Sequence, residues 1–343
     1  MGDIIDLRSD TVTKPTAEMR ESMKNAVVGD DILRDDPTVL ELEDLAAGIF
    51  GKEAAIFTIS GTMSNEIAVM VYTKPGEEII VHQDSHIYNL ETGALAALSG
   101  VQARVVESVN GIFNSEALEK SILQKGVQLA DKSLICLENT FHLNRGLAIR
   151  NEDLKETIEI AKTNNIPLYM DGARLFNAAV ALNTEPANLV ESCDSVAVCL
   201  SKGLCAPLGS ILAGRKDFIE EARRVKQRFG GGMRQAGVIA APAIIGLTEM
   251  VTRLPEDHKN AEIMRQALEK LGFKVDREGI LTNIINVDVS PAGWDAALLA
   301  QKLEAFNIKI KICTENTNRI VLHNDITCEH INFVLEKIKK IVG

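Results

Sequence analysis

The stretch "VAVCLSKGLCAPLGS", Val196 to Ser210, sets one lysine inside a run of apolar and small residues. Lysine is almost never fully buried unless something pairs with it or reacts with it. Lys202 follows Val196, Val198, Cys199 and Leu200 and precedes Gly203, Leu204, Ala206 and Pro207. One reading is a lysine at the end of a buried strand whose ammonium snorkels out to water. The other is chemical, because desolvation is one way a lysine amine becomes a nucleophile. The window alone supports both, and the rest of the chain decides between them.

A chain of 343 residues predicts about two domains and a core that is easily buried. No run approaches the roughly 18 uncharged apolar residues of a membrane span. The start, "MGDIIDLRSDTVTK", has acids where a secretory signal has a basic region and an apolar stretch, which predicts no export. A net charge of −11 argues against a nucleic-acid-binding face, which needs the opposite sign. The six cysteines lack CxxC spacing, and several lie in apolar runs. They predict reduced thiols of a cytoplasmic protein, with no disulfide or metal framework.

Apolar runs alternate with helical patterns along residues 54–214. "AAIFTIS" (54–60) precedes a helix from Thr62 to Tyr72, and "EEIIVHQ" (77–83) precedes one across Leu90 to Leu98. "ARVVES", "SLICLEN" (133–139), "IPLYMDGA" (166–173) and "DSVAVCLS" (194–201) follow, with a helix through "EDLKETIEIAKTNN". Continuous apolar strands separated by helices indicate a mostly parallel sheet covered on both faces. "GSILAG" (209–214) follows so closely that an antiparallel strand is expected. Helices are expected over 216–228 and 234–272. Beyond that point short strands such as "TNIINVDVS" and "NRIVLHN" mix with helices at 294–305 and from Thr327. The expected architecture is an α/β fold with a large domain over 26–250 and a smaller α+β domain over 251–343. Residues 1–25 are expected to pack on both.

Ligands of open α/β sheets gather at the carboxyl ends of the strands. "SGTMSN" (60–65) follows a strand and opens a helix, so its free N–H groups can cradle a phosphate; a plain N-cap by Ser60 or Thr62 is the commoner use of such a turn. "YMDGAR" (169–174) puts Asp171 directly after a buried strand, where a carboxylate needs a strong partner. That partner is either Arg174 or a cationic ring nitrogen. Lys202 lies 31 positions after Asp171, about one strand–helix–strand unit, so both belong on one sheet edge. A reactive lysine, a phosphate cradle and an acid for a pyridinium nitrogen are together what pyridoxal phosphate requires.

With these segments in view, the chain resembles the low-specificity L-threonine aldolases of the aspartate-aminotransferase-like pyridoxal enzymes. The likeness rests on "IDLRSDTVTKPT", "GDD" and "DPT" around 29–38, "SGTMSN", "DSHI", "ENT", "DGARLFNAA", "LSKGLCAPLGS" and "GGGMRQAG". The resemblance implies that pyridoxal 5'-phosphate is covalently held by Lys202, with its ring nitrogen on Asp171 and its phosphate on Gly61, Thr62 and Met63. It implies Arg174 near the ring oxygen and the substrate carboxylate, with Ser9 and Arg319 also on that carboxylate. His86 would stack on the ring near the substrate hydroxyl, and Arg234 would reach a neighbouring subunit's cofactor in a homodimer or homotetramer. The implied reaction is retro-aldol cleavage of a β-hydroxy-α-amino acid to glycine and an aldehyde. Each residue keeps a structural alternative: a turn for Ser9, an acid partner for Arg319, a satisfied core position for His86.

The chain departs from the family at three places. Leu33 and Arg34 stand where the family has a tyrosine and a glycine after GDD. Phe141 follows "ENT" where the family has a second histidine, with His142 one place later. "YNLETG" lacks an aromatic pair after His86. These changes predict an altered β-substituent pocket, one that accepts a bulkier group or discriminates poorly between threonine and allo-threonine. A β-eliminating lyase, a racemase or an aminotransferase on the same scaffold is the alternative, and a non-catalytic pyridoxal-binding protein a further one.

Overall fold

A computed structural model describes residues 4–124, 126–141 and 145–342. Seven strands form the large sheet: β1 Ala54–Thr58, β2 Glu78–His82, β3 Gln102–Val106, β4 Lys132–Glu138, β5 Leu168–Asp171, β6 Ser195–Cys199 and β7 Ser210–Gly214. Their order is β1-β7-β6-β5-β4-β2-β3. The pairs among β3, β2, β4, β5 and β6 are parallel. β7 runs antiparallel to both β6 and β1, as its short connection to β6 requires.

Strand side chains alternate between two cores, as a period of two dictates. Phe57, Ile80, Ile135, Met170, Val196 and Ile211 join the cluster that holds Leu42 and Phe50 of helix Pro37–Phe50 and Ala240 and Ala243 of helix Gly237–Thr248. Their neighbours Ile56, Ile79, Leu134, Tyr169, Ala197 and Leu212 face Ile67 and Val69 of α1, Gly61–Tyr72, and Phe218 and Ala222 of helix Lys216–Arg228. Both faces are therefore covered, which is why the strands read as unbroken apolar runs.

A second, antiparallel sheet contains β8 Lys274–Val275, β9 Ile284–Asp288, β10 Lys311–Ile312 and β11 Thr317–Val321, in the order β8-β9-β11-β10. Its core includes Ile285, Val287 and Ile320, with Met264, Leu299 and Val334 from the three helices packed on it. Among the described residues no single helix is long and apolar enough to cross a membrane.

Two expected helices are corrected. The one expected across Leu90 to Leu98 is a short turn of helix at His86–Asn89 and a separate turn at Leu95–Ser99. Thr92 (φ +55°) and Gly93 (φ +73°) between them are left-handed, which no right-handed helix can carry through. The one expected over 234–272 is two helices, Gly237–Thr248 and Leu254–Lys270, with a turn at Met250–Arg253 and a bend of 46°. Pro255 lies in the first turn of the second helix, where its missing N–H costs nothing.

The amino-terminal segment touches both sheets' cores. Ile5–Asp6 pairs in parallel with Ile308–Lys309, and Val321 N–H donates to the Leu7 carbonyl at 2.9 Å. Further on, Met19 lies in the large sheet's core. Between these points Asp10, fully buried, accepts two hydrogen bonds from Arg174, at 2.7 Å from Nε and 2.6 Å from Nη2. Burial alone would raise the Asp10 carboxyl, but the Arg174 charge and its two hydrogen bonds hold it well below the usual carboxylate range.

A buried ion pair with one member neutralised leaves the other charge uncompensated. Asp10→Asn is therefore expected to cost about 3 kcal/mol of stability at pH 7, measured by urea unfolding. The depressed folded-state value makes this contribution complete above the ordinary carboxylate value of 3.8 and lost below it. The gap between wild type and variant should narrow as pH falls from about 4. A gap that stays constant on acidification would show that the pair is not what Asp10 contributes.

Candidate active site

Strands β4, β5 and β6 end side by side, with Glu138 opposite Asp171 and Asp171 opposite Ala197 in the register. The chain therefore delivers Glu138, Asp171 and, just past β6, Lys202 to one rim. α1 starts at the same rim just past the end of β1, with β7 between β1 and β6. The cleft there is lined by Gly61, Thr62, Asn65, His86, Glu138, Thr140, Asp171, Ala173, Arg174, Cys199 and Lys202.

α1 opens on Ser60, whose extended backbone and Oγ, accepting from Met63 N–H at 3.2 Å, cap the helix. The cap uses the Met63 N–H, so the N–H groups of Gly61 and Thr62 are the ones the helix end turns toward the cleft without a helical acceptor. The Met63 side chain lies away from the cleft lining, where a Cβ on Gly231 would meet its sulfur at 2.8 Å. Gly61 is required by space: a Cβ there would sit 2.8 Å from the Cys199 sulfur.

Asp171 is buried, and each of its carboxylate oxygens is held: Oδ1 accepts from Ala173 N–H at 3.1 Å and Oδ2 from the Asn65 side-chain amide at 3.0 Å. Arg174 is not its partner, because that guanidinium is committed to Asp10. The Lys202 carbonyl accepts from Thr13 Oγ1 at 2.9 Å, which ties the amino-terminal segment to the lysine turn. The Cys199 thiol beside it is pushed up by burial, with the Lys202 charge opposing.

His86 enters from the turn after β2. Its backbone N–H donates to Glu138 Oε2 at 2.7 Å, and its Nδ1 lies 2.9 Å from Glu91 Oε1. The hydrogen bond to Glu91 raises the imidazole above its ordinary value against the cost of burial, and the Asp171 charge adds to it. Thr140 carries a buried hydroxyl that lines the cleft and has no hydrogen-bond partner among the described residues.

Arg319 is buried in β11 and donates to the Arg8 carbonyl at 2.7 Å. Burial lowers it, and the nearby Arg174 charge lowers it further. Lys311 stands opposite Arg319 in the β10–β11 register, so the two side chains share a face. Ser9 accepts from Thr11 N–H at 3.3 Å as the cap of a short helical turn, while its Oγ–H points to Asp10 at 3.4 Å.

The other expected residues that the structure describes lie outside the cleft lining. Arg234 is 62 % exposed and pairs with Asp30 at 2.9 Å. His142 falls outside the described residues. Leu33 is 70 % exposed. Arg34 adopts φ +62°, the left-handed region that favours glycine, and its guanidinium joins that of Arg223 on the buried Glu43 carboxylate. Phe141 packs into the large core against His82, at 5.2 Å between ring centres. Neither the Leu33 nor the Phe141 side chain lines the cleft in this chain. Sequence reading missed Asn65, Glu91, Glu138, Thr140 and Asp10. Asn65 and Glu138 stood within "SGTMSN" and "ENT", and Asp10 within "LRSDT", but nothing local marked them as partners.

Comparison with known proteins gives the same reading. Residues 6–290 match the family described as Beta-eliminating lyase. The Low-specificity L-threonine aldolase 1 of Arabidopsis thaliana is 42 % identical over 337 residues, covering 96 % of this chain and 94 % of that protein. The Low specificity L-threonine aldolase of Escherichia coli K12 is 41 % identical over 329 residues, covering 96 % of each. The solved threonine aldolase of Leishmania major shares the fold, with a TM-score of 0.84 at 17 % identity over 99 % of this chain and 100 % of that one. The rim that gathers Lys202, Asp171, His86 and Arg174, together with these matches along nearly the whole length, shows that the chain belongs to the low-specificity L-threonine aldolase family of the beta-eliminating lyases.

Proposed function

We propose that this protein is a pyridoxal-phosphate-dependent carbon–carbon lyase that cleaves β-hydroxy-α-amino acids of the threonine and allo-threonine kind to glycine and an aldehyde. The observation that carries the reading is the single rim on which Lys202, a buried Asp171 carboxylate and a helix amino terminus face one cleft. The cleft fits the coenzyme by its donor set. Gly61, where a Cβ would meet the Cys199 sulfur, lets a phosphate approach the N–H groups of Gly61 and Thr62. Asp171 suits a cationic ring nitrogen, and the unpartnered Thr140 hydroxyl suits a polar ligand atom. Lys202 is the covalent attachment point. Bound there, pyridoxal phosphate supplies a sink for the electron pair released when the Cα–Cβ bond breaks.

The remaining work falls to the chain. Asp171 keeps a proton on the ring nitrogen. Arg319, Arg174 and Ser9 hold the amino acid's carboxylate; Arg174 spends Nε and Nη2 on Asp10, which leaves its other nitrogen for the ligand. Fixing the carboxylate selects which bond at Cα stands ready to break. His86 takes the β-hydroxyl proton, directly or through one water, and its raised basicity suits that task.

In this reading residues 26–250 form the cofactor-binding domain and 251–343 the smaller one, with residues 1–25 packing on both. The protein works as a homodimer or homotetramer in which Arg234, exposed here, reaches a neighbouring subunit's cofactor phosphate. Exposed Val27, Val28, Ile32 and Leu33 supply apolar surface for such an interface. Free cysteines, four of them buried, suit the reducing cytoplasm.

With L-threonine, L-allo-threonine and phenylserine, the purified holoenzyme should yield glycine and the matching aldehyde in equal amounts. Formation of a keto acid and ammonia instead would assign β-elimination and overturn the aldolase reading. Borohydride should trap the coenzyme on wild type but not on Lys202→Ala, read by mass spectrometry of the peptide. Arg319→Lys should raise KM for the amino acid by about tenfold while kcat falls less, because an ammonium cannot make the paired contact of a guanidinium; an unchanged KM would remove Arg319 from the carboxylate site.

A further inference from the structure

Beneath the cleft, between α1 and the turn that follows His86, lies a buried polar set with no assigned role. Asn65, Tyr169 and Glu91 are all buried. Asn65 sits one helical turn after Gly61, on the cleft side of α1. Tyr169 shares a strand face with Asp171, two residues on. Glu91 belongs to the segment where Thr92 and Gly93 interrupt the helix.

The hydrogen bonds among them leave one consistent assignment. The Asn65 amide nitrogen lies 2.6 Å from Glu91 Oε1 and 3.0 Å from Asp171 Oδ2, so its two N–H bonds go one to each carboxylate. Its oxygen accepts from the Tyr169 hydroxyl. With the amide flipped, an oxygen would face two carboxylate oxygens with no proton between them. The two acids therefore fix which way Asn65 points, and Tyr169 holds the amide oxygen on the other side. Glu91 Oε1 also meets His86 Nδ1 at 2.9 Å. Oε1 already accepts from Asn65 and accepts from His86 as well, which puts a proton on Nδ1 and leaves Nε2 as the nitrogen that can take one. One atom each from His86, Glu91 and Asp171 lie within 4.8 Å of one another, so the two acids would repel without the amide between them.

We propose that Glu91, and Asn65 held by Tyr169, are positioning residues for the two reacting-site groups: Glu91 fixes the His86 tautomer with Nε2 as the proton acceptor, and Asn65 bridges the Asp171 and Glu91 carboxylates so that both hold their places beside each other. The inference rests on the aldolase reading of the cleft, because it gives His86 and Asp171 their tasks. It goes beyond that reading by accounting for Glu91 and Tyr169, buried polar residues outside the cleft lining, and for the Asn65 amide that joins them to it. Such a set is costly to bury, the more so because Glu91 Oε2 has no hydrogen-bond partner among the described residues.

The groups facing His86 are Glu91, Asp171 and Lys202, with Glu138 on its backbone N–H. Behind Glu91 lie Cys136 and Glu66, whose carboxyl takes a hydrogen bond from Ser99 at 2.7 Å. Burial pushes Glu66 up to about 7, and the Glu91 charge adds to that. Any titration near neutrality must therefore separate His86 from Glu66, and a Glu66→Gln background does so.

The test uses the holoenzyme and compares Glu91→Gln, Asn65→Asp and Tyr169→Phe with wild type, each also in the Glu66→Gln background. In Glu91→Gln the acid limb of the kcat/KM profile should move to lower pH, with kcat down about tenfold and KM little changed, because the carboxylate that raises His86 is gone. Nitrogen-15 histidine spectra should show wild-type His86 with its proton on Nδ1 and the variant with mixed tautomers. Asn65→Asp places a third carboxylate against two others. It should release coenzyme about tenfold faster, followed by the visible absorbance on dilution into a trap. Tyr169→Phe, which removes one hydroxyl from a packed ring, should shift coenzyme release in the same direction by a few-fold, and serves if Asn65→Asp fails to fold. An unmoved acid limb with the Nδ1 tautomer kept in Glu91→Gln overturns the Glu91 role. Wild-type coenzyme release in Tyr169→Phe and in every folded Asn65 variant overturns the Asn65 role. If wild type itself traps no coenzyme on Lys202, the aldolase reading has failed, a result distinct from either of these.

Discussion

The Asp10–Arg174 pair is the constraint on which the site's geometry depends. Burying a carboxylate and a guanidinium costs several kcal/mol per ion, and only close, hydrogen-bonded pairing offsets it. Here both Asp10 oxygens meet Arg174 nitrogens, at 2.6 and 2.7 Å. Asp10 sits in the amino-terminal segment, and Arg174 at the start of the helix that follows β5. The pair therefore fastens that segment across the rim of the large sheet. Thr13 bonds the Lys202 carbonyl three residues later, and Arg8 supplies the carbonyl that Arg319 uses from the second sheet. Groups from three distant parts of the chain converge because one buried charge needs another.

How much of this the sequence discloses follows from the range of each interaction. The parallel sheet is legible because a strand buried on both faces must be apolar throughout, and Lys202 and Asp171 stand out because they end such runs. The phosphate turn is legible because its glycine and its cap are adjacent. The partners are not. Local reasoning pairs Asp171 with Arg174, three residues apart, whereas the fold gives Arg174 to Asp10 and Asp171 to Asn65. Nothing in a linear pattern distinguishes Asn65 from any polar residue in a helix. Glu91 reads as part of a helix until Thr92 and Gly93 turn left-handed. Phe141 shows the same limit: a family comparison marks the position as different, but only the fold shows its ring packed in the core beside the buried His82.

His82 and His86 show how environment divides one residue type into two uses. His82, at the end of β2, is stacked on Phe113 at 3.7 Å, and burial lowers it to about 3, so it stays neutral and packs as an aromatic ring. His86, four residues on, has a carboxylate on one ring nitrogen and the cleft on its other side. Sequence reading gives a lone histidine as more often core than chemical, and for His82 that holds. The difference lies in Glu91, which supplies the acceptor that burial alone withholds.

The second-sheet side of the cleft gathers positive charge in a protein whose net charge is −11. Burial lowers both Arg319 and Lys311, the Arg174 charge lowers each further, and Asp10 opposes this at Arg319. Two like charges directly across an antiparallel pair destabilise a sheet, and Lys311 and Arg319 occupy such a register. In the proposed function an amino acid's carboxylate would bring the missing negative charge. Its arrival would relieve a repulsion already built into the sheet, so recognition would draw on the protein's own unbalanced electrostatics as well as on new contacts.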